Sequence, residues 1–169
     1  KDVDVTPKGE KPSVEKKVKE NQKYGDGGYG AGYNDVADYN IGDTVPIKLI
    51  GTVPDMSGYT SYQYTFHDTM SKGLTLDTKS IKVYVEDDKA VVTKDKEITS
   101  YFNISSEAEK DKNGNETGAT VITVSTNKLN DIKEVSKGKY IIVEYNATLN
   151  TSAEIGLPGN PNKVSLEYS

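Results

Sequence analysis

Apolar residues recur at every second position along most of this chain. Val14-x-Lys16-x-Val18, Val45-x-Ile47-x-Leu49, Tyr62-x-Tyr64-x-Phe66-x-Asp68, Ile81-x-Val83-x-Val85, Ile141-x-Val143-x-Tyr145-x-Ala147-x-Leu149 and Val164-x-Leu166-x-Tyr168 all alternate. A period of two sends successive side chains to opposite faces, so each run predicts a strand with one buried face. Strands are expected at 14–18, 43–53, 62–68, 81–85, 119–125, 140–149 and 164–168, with 98–104 extended. Turn signals separate them: a Gly/Tyr/Asp loop at 25–40, Asp87-Asp88, a polar hairpin loop at 111–118 and a turn at 156–161. One stretch departs from the pattern. Leu129, Ile132 and Val135 recur at intervals of three within 127–135, the single helical signal. Many short strands with turns between them and one short helix predict an all-β chain folded as a β-sandwich.

The first eleven residues do not fit that domain. Val3-x-Val5 followed by Pro7 and Pro12 reads as the end of a preceding strand and a linker. Residues 1–11 are therefore assigned to a linker or the tail of a preceding domain, and 12–169 to one domain. The 169-residue length agrees with a single domain.

Composition narrows the chemistry. All 21 basic residues are Lys, against 26 Asp plus Glu, and the net charge is -5. An acidic chain without Arg is poorly suited to nucleic-acid phosphates. No run approaches the roughly 18 apolar residues of a membrane span, so no membrane contact is expected in this segment. With no Cys there is no disulfide, thiol nucleophile or thiolate metal site, and the lone His67 disfavours a His-based triad or a multi-His metal site. No enzyme acting in trans and no cofactor are expected. Lys is left as the most promising reactive residue.

Several motifs fail in context. Gly25-x-Gly27-x-x-Gly30 has the dinucleotide-binding spacing, but no strand–helix frame surrounds it. Asp111-x-Asn113-x-Asn115 begins like a calcium loop, yet Glu116 stands where Gly is needed and Ile122 where Glu is needed. Asp26, Asp35 and Asp38 are weak Ca²⁺ candidates; solvated surface carboxylates are the simpler reading. Leu157-Pro158-Gly159-Asn160-Pro161 lacks the rest of a sortase sorting signal and reads as a turn.

Three polar residues break the alternation instructively. Lys16 shares a face with Val14 and Val18, Asp68 with Tyr64 and Phe66, and Asn162 with Val164 and Leu166. Each alone suits a strand end. Together they are an amine, a carboxyl group and a carboxamide, the ingredients of an intramolecular Lys–Asn isopeptide bond. Burial disfavours charge, so a buried amine can become neutral and nucleophilic, and a buried acid can donate a hydrogen bond to a carboxamide. Strands that hold the groups in contact supply proximity.

These residues, in this order, resemble the isopeptide-forming domains of Gram-positive sortase-assembled backbone pilins. The landmarks are Lys11-Pro12-Ser13-Val14-Glu15-Lys16-Lys17-Val18, Tyr39-Asn40-Ile41-Gly42-Asp43-Thr44-Val45-Pro46, Tyr64-Thr65-Phe66-His67-Asp68-Thr69-Met70-Ser71-Lys72-Gly73-Leu74 and Gly159-Asn160-Pro161-Asn162-Lys163-Val164-x-Leu166-x-Tyr168-Ser169. The resemblance implies an Ig-like β-sandwich of the collagen-adhesin A type, with an isopeptide bond between first and last strands. Carried over by position, Asp68 is the catalyst, Asn162 the acceptor and Lys16 the amine. Lys17 is the alternative amine, disfavoured only by parity. Val3-Asp4-Val5-Thr6-Pro7-Lys8-Gly9 resembles the motif whose lysine accepts the next subunit, although Thr6 and Gly9 depart from it; a plain linker lysine stands beside that reading of Lys8.

The resemblance further implies a structural domain of a pilus on a Gram-positive cell wall. Its partners would be other pilin subunits, joined by sortase, and host surface proteins. The competing reading is a ligand-binding domain of an adhesin or minor pilin, using a surface near Tyr24, Tyr29, Tyr33 and Tyr39.

Overall fold

A computed structural model describes residues 11–19, 39–153 and 163–169. Nine strands follow one another along the described chain: β1 (Val14–Val18), β2 (Thr44–Thr52), β3 (Tyr64–Met70), β4 (Leu74–Leu76), β5 (Lys82–Glu86), β6 (Asn103–Lys110), β7 (Glu116–Thr126), β8 (Tyr140–Leu149) and β9 (Val164–Tyr168). They form two antiparallel sheets. In the first, the order is β1-β2-β8, and the far side of β8 is shared end to end by β4 and β5. The second has the order β6-β7-β3-β9.

The alternating apolar residues meet between the sheets. Val45, Ile47 and Leu49 of β2 and Ile141, Val143 and Tyr145 of β8 face Tyr64 and Phe66 of β3 and Ile122 and Val124 of β7, all essentially inaccessible to water. Aligned packing of two such faces is the β-sandwich arrangement. The β2–β8 register runs from Thr44↔Thr148 to Thr52↔Tyr140 without a slip. A slip of one residue would turn every apolar side chain outward, so the alternation itself fixes the pairing.

Chain order matters most at the sandwich edge. β1 ends the first sheet and β9 ends the second, and the two strands lie against each other. The beginning and end of the described chain thus meet beside β3.

The structure departs from the sequence expectations in several places, among them the start of β7 at Glu116, three residues inside the loop expected at 111–118. The helical signal at 127–135 is not an α-helix. Leu129–Asp131 forms a 3₁₀ turn, and further i→i+3 bonds run from Ile132 N to Leu129 O (3.2 Å) and from Val135 N to Ile132 O (3.0 Å). An apolar interval of three matches the three residues per turn of that geometry. Leu129, Ile132 and Val135 are all buried, so the segment plugs one end of the core.

The extended stretch expected at 98–104 is interrupted by a 3₁₀ turn at Thr99–Tyr101. The Thr99 hydroxyl accepts from Val83 N at 2.9 Å, supplanting a ladder bond. β3 starts at Tyr64 rather than Tyr62, because Asn130 takes over the backbone before it. Its Oδ1 accepts from Tyr62 N, and its Nδ2 donates to the carbonyls of Tyr59 and Thr60. The sequence pattern also omits β4 and β6. β4 has only three residues, and β6 (Asn-Ile-Ser-Ser-Glu-Ala-Glu-Lys) lies mostly exposed at a sheet edge, where alternation has nothing to bury.

Candidate functional site

Lys16 lies in the middle of β1, paired with Leu49 of β2, and its side chain turns inward with Val18. Asp68 lies near the end of β3, between Ile122 of β7 and Val164 of β9. The two side chains meet across the gap between the sheets. Lys16 Nζ donates to Asp68 Oδ1 at 2.6 Å, and more weakly to the Thr69 carbonyl at 3.5 Å. The Lys16 side chain is 5% exposed and that of Asp68 is 0% exposed. Two opposite charges removed from water cost several kcal/mol each in lost hydration, so their contact must be close and well bonded.

A third group completes the cluster. Tyr145, from central strand β8, donates its hydroxyl hydrogen to Asp68 Oδ2. Burial first, and the adjacent Asp68 carboxylate second, push the Tyr145 phenol well above its usual pKa, so it remains a donor. Both carboxylate oxygens are therefore engaged from the first sheet, one by β1 and the other by β8.

The last strand arrives at the same place. Val164 pairs with Asp68, and the Lys163 carbonyl accepts from Thr69 N at 2.8 Å. Asn162, one peptide bond earlier in the chain, lies outside the described residues. So do Lys8, Asp26, Asp35, Asp38, Tyr24, Tyr29 and Tyr33, the Gly25–Gly30 string and the expected turn at 156–161.

Lys17, the alternative amine, is on the other face of β1. It stands opposite Lys48, which pairs with Glu144, which pairs with Lys82, so a charged row crosses the outer face of the first sheet. Burial above all lowers the Lys48 pKa there and raises that of Glu144. Lys17 Nζ lies 3.5 Å from Glu15 Oε1. His67, next to Asp68 in sequence, likewise faces outward, with Nε2 2.8 Å from Glu167 Oε1.

Other sequence candidates have internal duties. The Asp111 carboxylate accepts from Asn113 N and Asn115 N, closing the β6–β7 hairpin. Tyr39 is half-buried and donates to the Lys19 carbonyl. Among the described residues, no three His, Asp or Glu side chains converge as a metal site would. No helix among them is long and apolar enough to cross a membrane.

Sequence reasoning did not single out Tyr145. Its signal was available: alternation along 140–149 puts a phenol hydroxyl on the same face as Ile141, Val143 and Ala147, and a buried hydroxyl needs a partner.

Residues 41–169 match the family model described as Gram-positive pilin backbone subunit 2, Cna-B-like domain. The resemblance in the sequence implied the collagen-adhesin A type, whereas that description is of the B-like type. Among solved structures, the fold is similar to the pilus backbone RrgB of Streptococcus pneumoniae, with a TM-score of 0.56 and 19% identity over 94% of this chain and 31% of that one. It is similar to a 35 kDa C-terminal fragment of the major pilin GBS80 of Streptococcus agalactiae, with a TM-score of 0.52 and 18% identity over 94% of this chain and 49% of that one. A third is the Corynebacterium diphtheriae major pilin SpaA, described as pointing to a modular pilus assembly stabilised by isopeptide bonds. Its TM-score is 0.50, with 18% identity over 73% of this chain and 29% of that one. The chain thus spans less than half the length of each of these structures. No curated protein matches it by sequence.

Proposed function

Because the chain belongs to the family of Gram-positive pilin backbone subunits with a Cna-B-like domain, we propose that it is a load-bearing domain of a surface pilus subunit, tied by a self-formed amide between Lys16 and Asn162. Residues 12–169 constitute the domain, and residues 1–11 link it to a preceding one. Its partners are further pilin subunits joined by sortase, with Lys8 as a point of attachment, on the outside of a Gram-positive cell.

The observation that carries the crosslink is the buried 2.6 Å contact between Lys16 Nζ and Asp68 Oδ1, beside the start of the last strand. Lys16 passes a proton to Asp68 Oδ1 and becomes a neutral amine. The amine nitrogen attacks Cγ of Asn162 while the newly formed acid donates its hydrogen to the carboxamide oxygen. Collapse of the adduct returns the oxygen's hydrogen to Asp68, breaks the bond to Asn162 Nδ2 and expels it as ammonia with a proton from the attacking nitrogen, leaving a neutral amide beside a neutral Asp68. One C–N bond forms and one breaks, with no oxidant required. The buried ion pair is replaced by an uncharged amide, which removes its cost in lost hydration.

The bond would close a loop running from the first strand to the last. By analogy with disulfide loop entropy, that contributes about 5 kcal/mol. It would also carry tension past the fold, between neighbouring strands at one edge. The other reading, a ligand-binding adhesin domain, draws no support from the described residues, where Tyr39 is used internally.

Intact mass spectrometry tests the proposal. The mature protein is expected to be lighter than its sequence by one ammonia, and Asp68→Ala and Asn162→Ala are each expected to restore the full mass. An unmodified wild-type mass overturns the crosslink. A loss of one water instead of ammonia would assign the bond to Lys16 and Asp68 themselves, and would equally overturn the role of Asn162.

A further inference from the structure

Tyr145 has a place in the site that neither bulk nor core packing requires. It is a fully buried phenol on an otherwise aliphatic face of β8, and its hydroxyl is directed at the one carboxylate oxygen that Lys16 does not use. Tyr64, which is just as deeply buried, sends its hydroxyl elsewhere, donating to the Thr52 carbonyl at 2.7 Å.

We infer that Tyr145 is a positioning residue for isopeptide formation, holding Asp68 Oδ2 so that Oδ1 alone exchanges protons with Lys16. This rests on the proposed crosslink. A carboxylate has two oxygens with roughly equal claim to a proton, and it can turn about its Cβ–Cγ bond. A hydroxyl donor fixed on Oδ2 prevents both exchange of the oxygens and rotation. It stabilises negative charge there and leaves Oδ1 as the site where the proton from Lys16 arrives and departs. The phenol itself stays protonated, because burial and the neighbouring carboxylate both oppose its ionisation. Tyr145 therefore orients the catalyst without entering the proton transfer.

The surroundings contain no rival among the described residues. Asp68 is faced by Lys16 from β1 and Tyr145 from β8, while its register partners on β7 and β9 are Ile122 and Val164. His67 and Glu167 are paired with each other on the outward face of the second sheet.

The test follows mass against time for the full chain made by cell-free synthesis, starting when translation is stopped. Circular dichroism reports the folded fraction, and the first-order rate constant of ammonia loss is taken for folded protein only. Tyr145→Phe removes the hydroxyl and keeps the ring. We expect crosslinking to slow by about 10- to 100-fold, the scale of a misplaced catalytic group. A ring-fluorinated tyrosine placed at 145 by codon suppression keeps both the ring and the hydroxyl donor, so its crosslinking is expected to stay close to the wild-type rate; it separates loss of the hydroxyl from disturbance of the packing. A Tyr145→Phe rate constant equal to that of wild type, or a fluorinated variant as slow as Tyr145→Phe, with wild type crosslinking normally, overturns the role of Tyr145 alone. A wild-type chain that never loses ammonia overturns the crosslink beneath it.

Discussion

Removing Asp68 leaves two groups stranded in the core. Lys16 keeps an ammonium that is 5% exposed with no counter-charge, and the Tyr145 hydroxyl loses its acceptor. Breaking a buried ion pair from one side typically costs 3–5 kcal/mol, far more than the pair contributes net, because an uncompensated charge remains. The correct reference is not wild type. Asn162→Ala also prevents the proposed crosslink but leaves Lys16 and Asp68 together. Comparing Asp68→Ala with Asn162→Ala cancels the loop-closure contribution and isolates the pair. The expected difference is about 3–5 kcal/mol, with Asp68→Ala the weaker. For a urea slope of about 2 kcal/mol/M, the unfolding midpoint should fall by about 1.5–2.5 M relative to Asn162→Ala. Equilibrium unfolding followed by far-ultraviolet circular dichroism measures it. Replacing both partners, as Lys16→Met with Asp68→Leu, should recover most of the loss, since no charge is then left buried. If Asp68→Ala matches Asn162→Ala within about 1 kcal/mol, the pair is not the isolated, desolvated contact described, and the reasoning fails.

Two further outcomes follow from the core. Gly51 of β2 sits against the Tyr64 hydroxyl and the edge of the Phe66 ring, so a methyl group there must displace them; Gly51→Ala is expected to destabilise by about 1–3 kcal/mol in the same urea assay, and a neutral result would show that these side chains yield freely. The phenols of Tyr64 and Tyr145 have pKa values raised by burial above the ordinary 10.0. The folded protein thus holds these protons more tightly than the unfolded chain, and their contribution to stability is full below that value and lost as pH rises beyond it. Ultraviolet titration should show both lagging behind exposed tyrosines, with the late step reduced in Tyr64→Phe; simultaneous titration of all tyrosines in folded protein would contradict their burial.

The two-residue period made the sandwich readable because burial on one face forces it. β2 and β5 fall within one residue of their expected limits, and β1, β8 and β9 match theirs. The same parity put Lys16 and Asp68 on inward faces before any contact was known. What escaped was structure decided by other forces. β6 satisfies its backbone against β7 while most of its side chains remain in water, so its sequence carries no apolar rhythm. The start of β3 depends on the Asn130 carboxamide, almost seventy residues away in sequence, a pairing no local pattern encodes. The Leu129–Val135 interval is a repeat of three that a 3₁₀ turn satisfies as well as an α-helix, so the spacing alone does not choose between them. Tyr145 was visible as an inward tyrosine, but that its hydroxyl would meet Asp68 depends on how two sheets face each other.

The polar character that hid β6 has a consequence for crowding. An edge strand offers a free row of backbone donors and acceptors, and identical chains held close together can zip through such rows into unwanted sheets. Glu107, Glu109 and Lys110 populate this edge. Charged side chains at an open edge discourage a second copy from adding a strand there. Wherever copies of the domain lie close together, that safeguards solubility. An apolar β6 would bury no better and would invite lateral aggregation. The strand's plain sequence therefore leaves its outer edge poorly suited to pairing with a second copy.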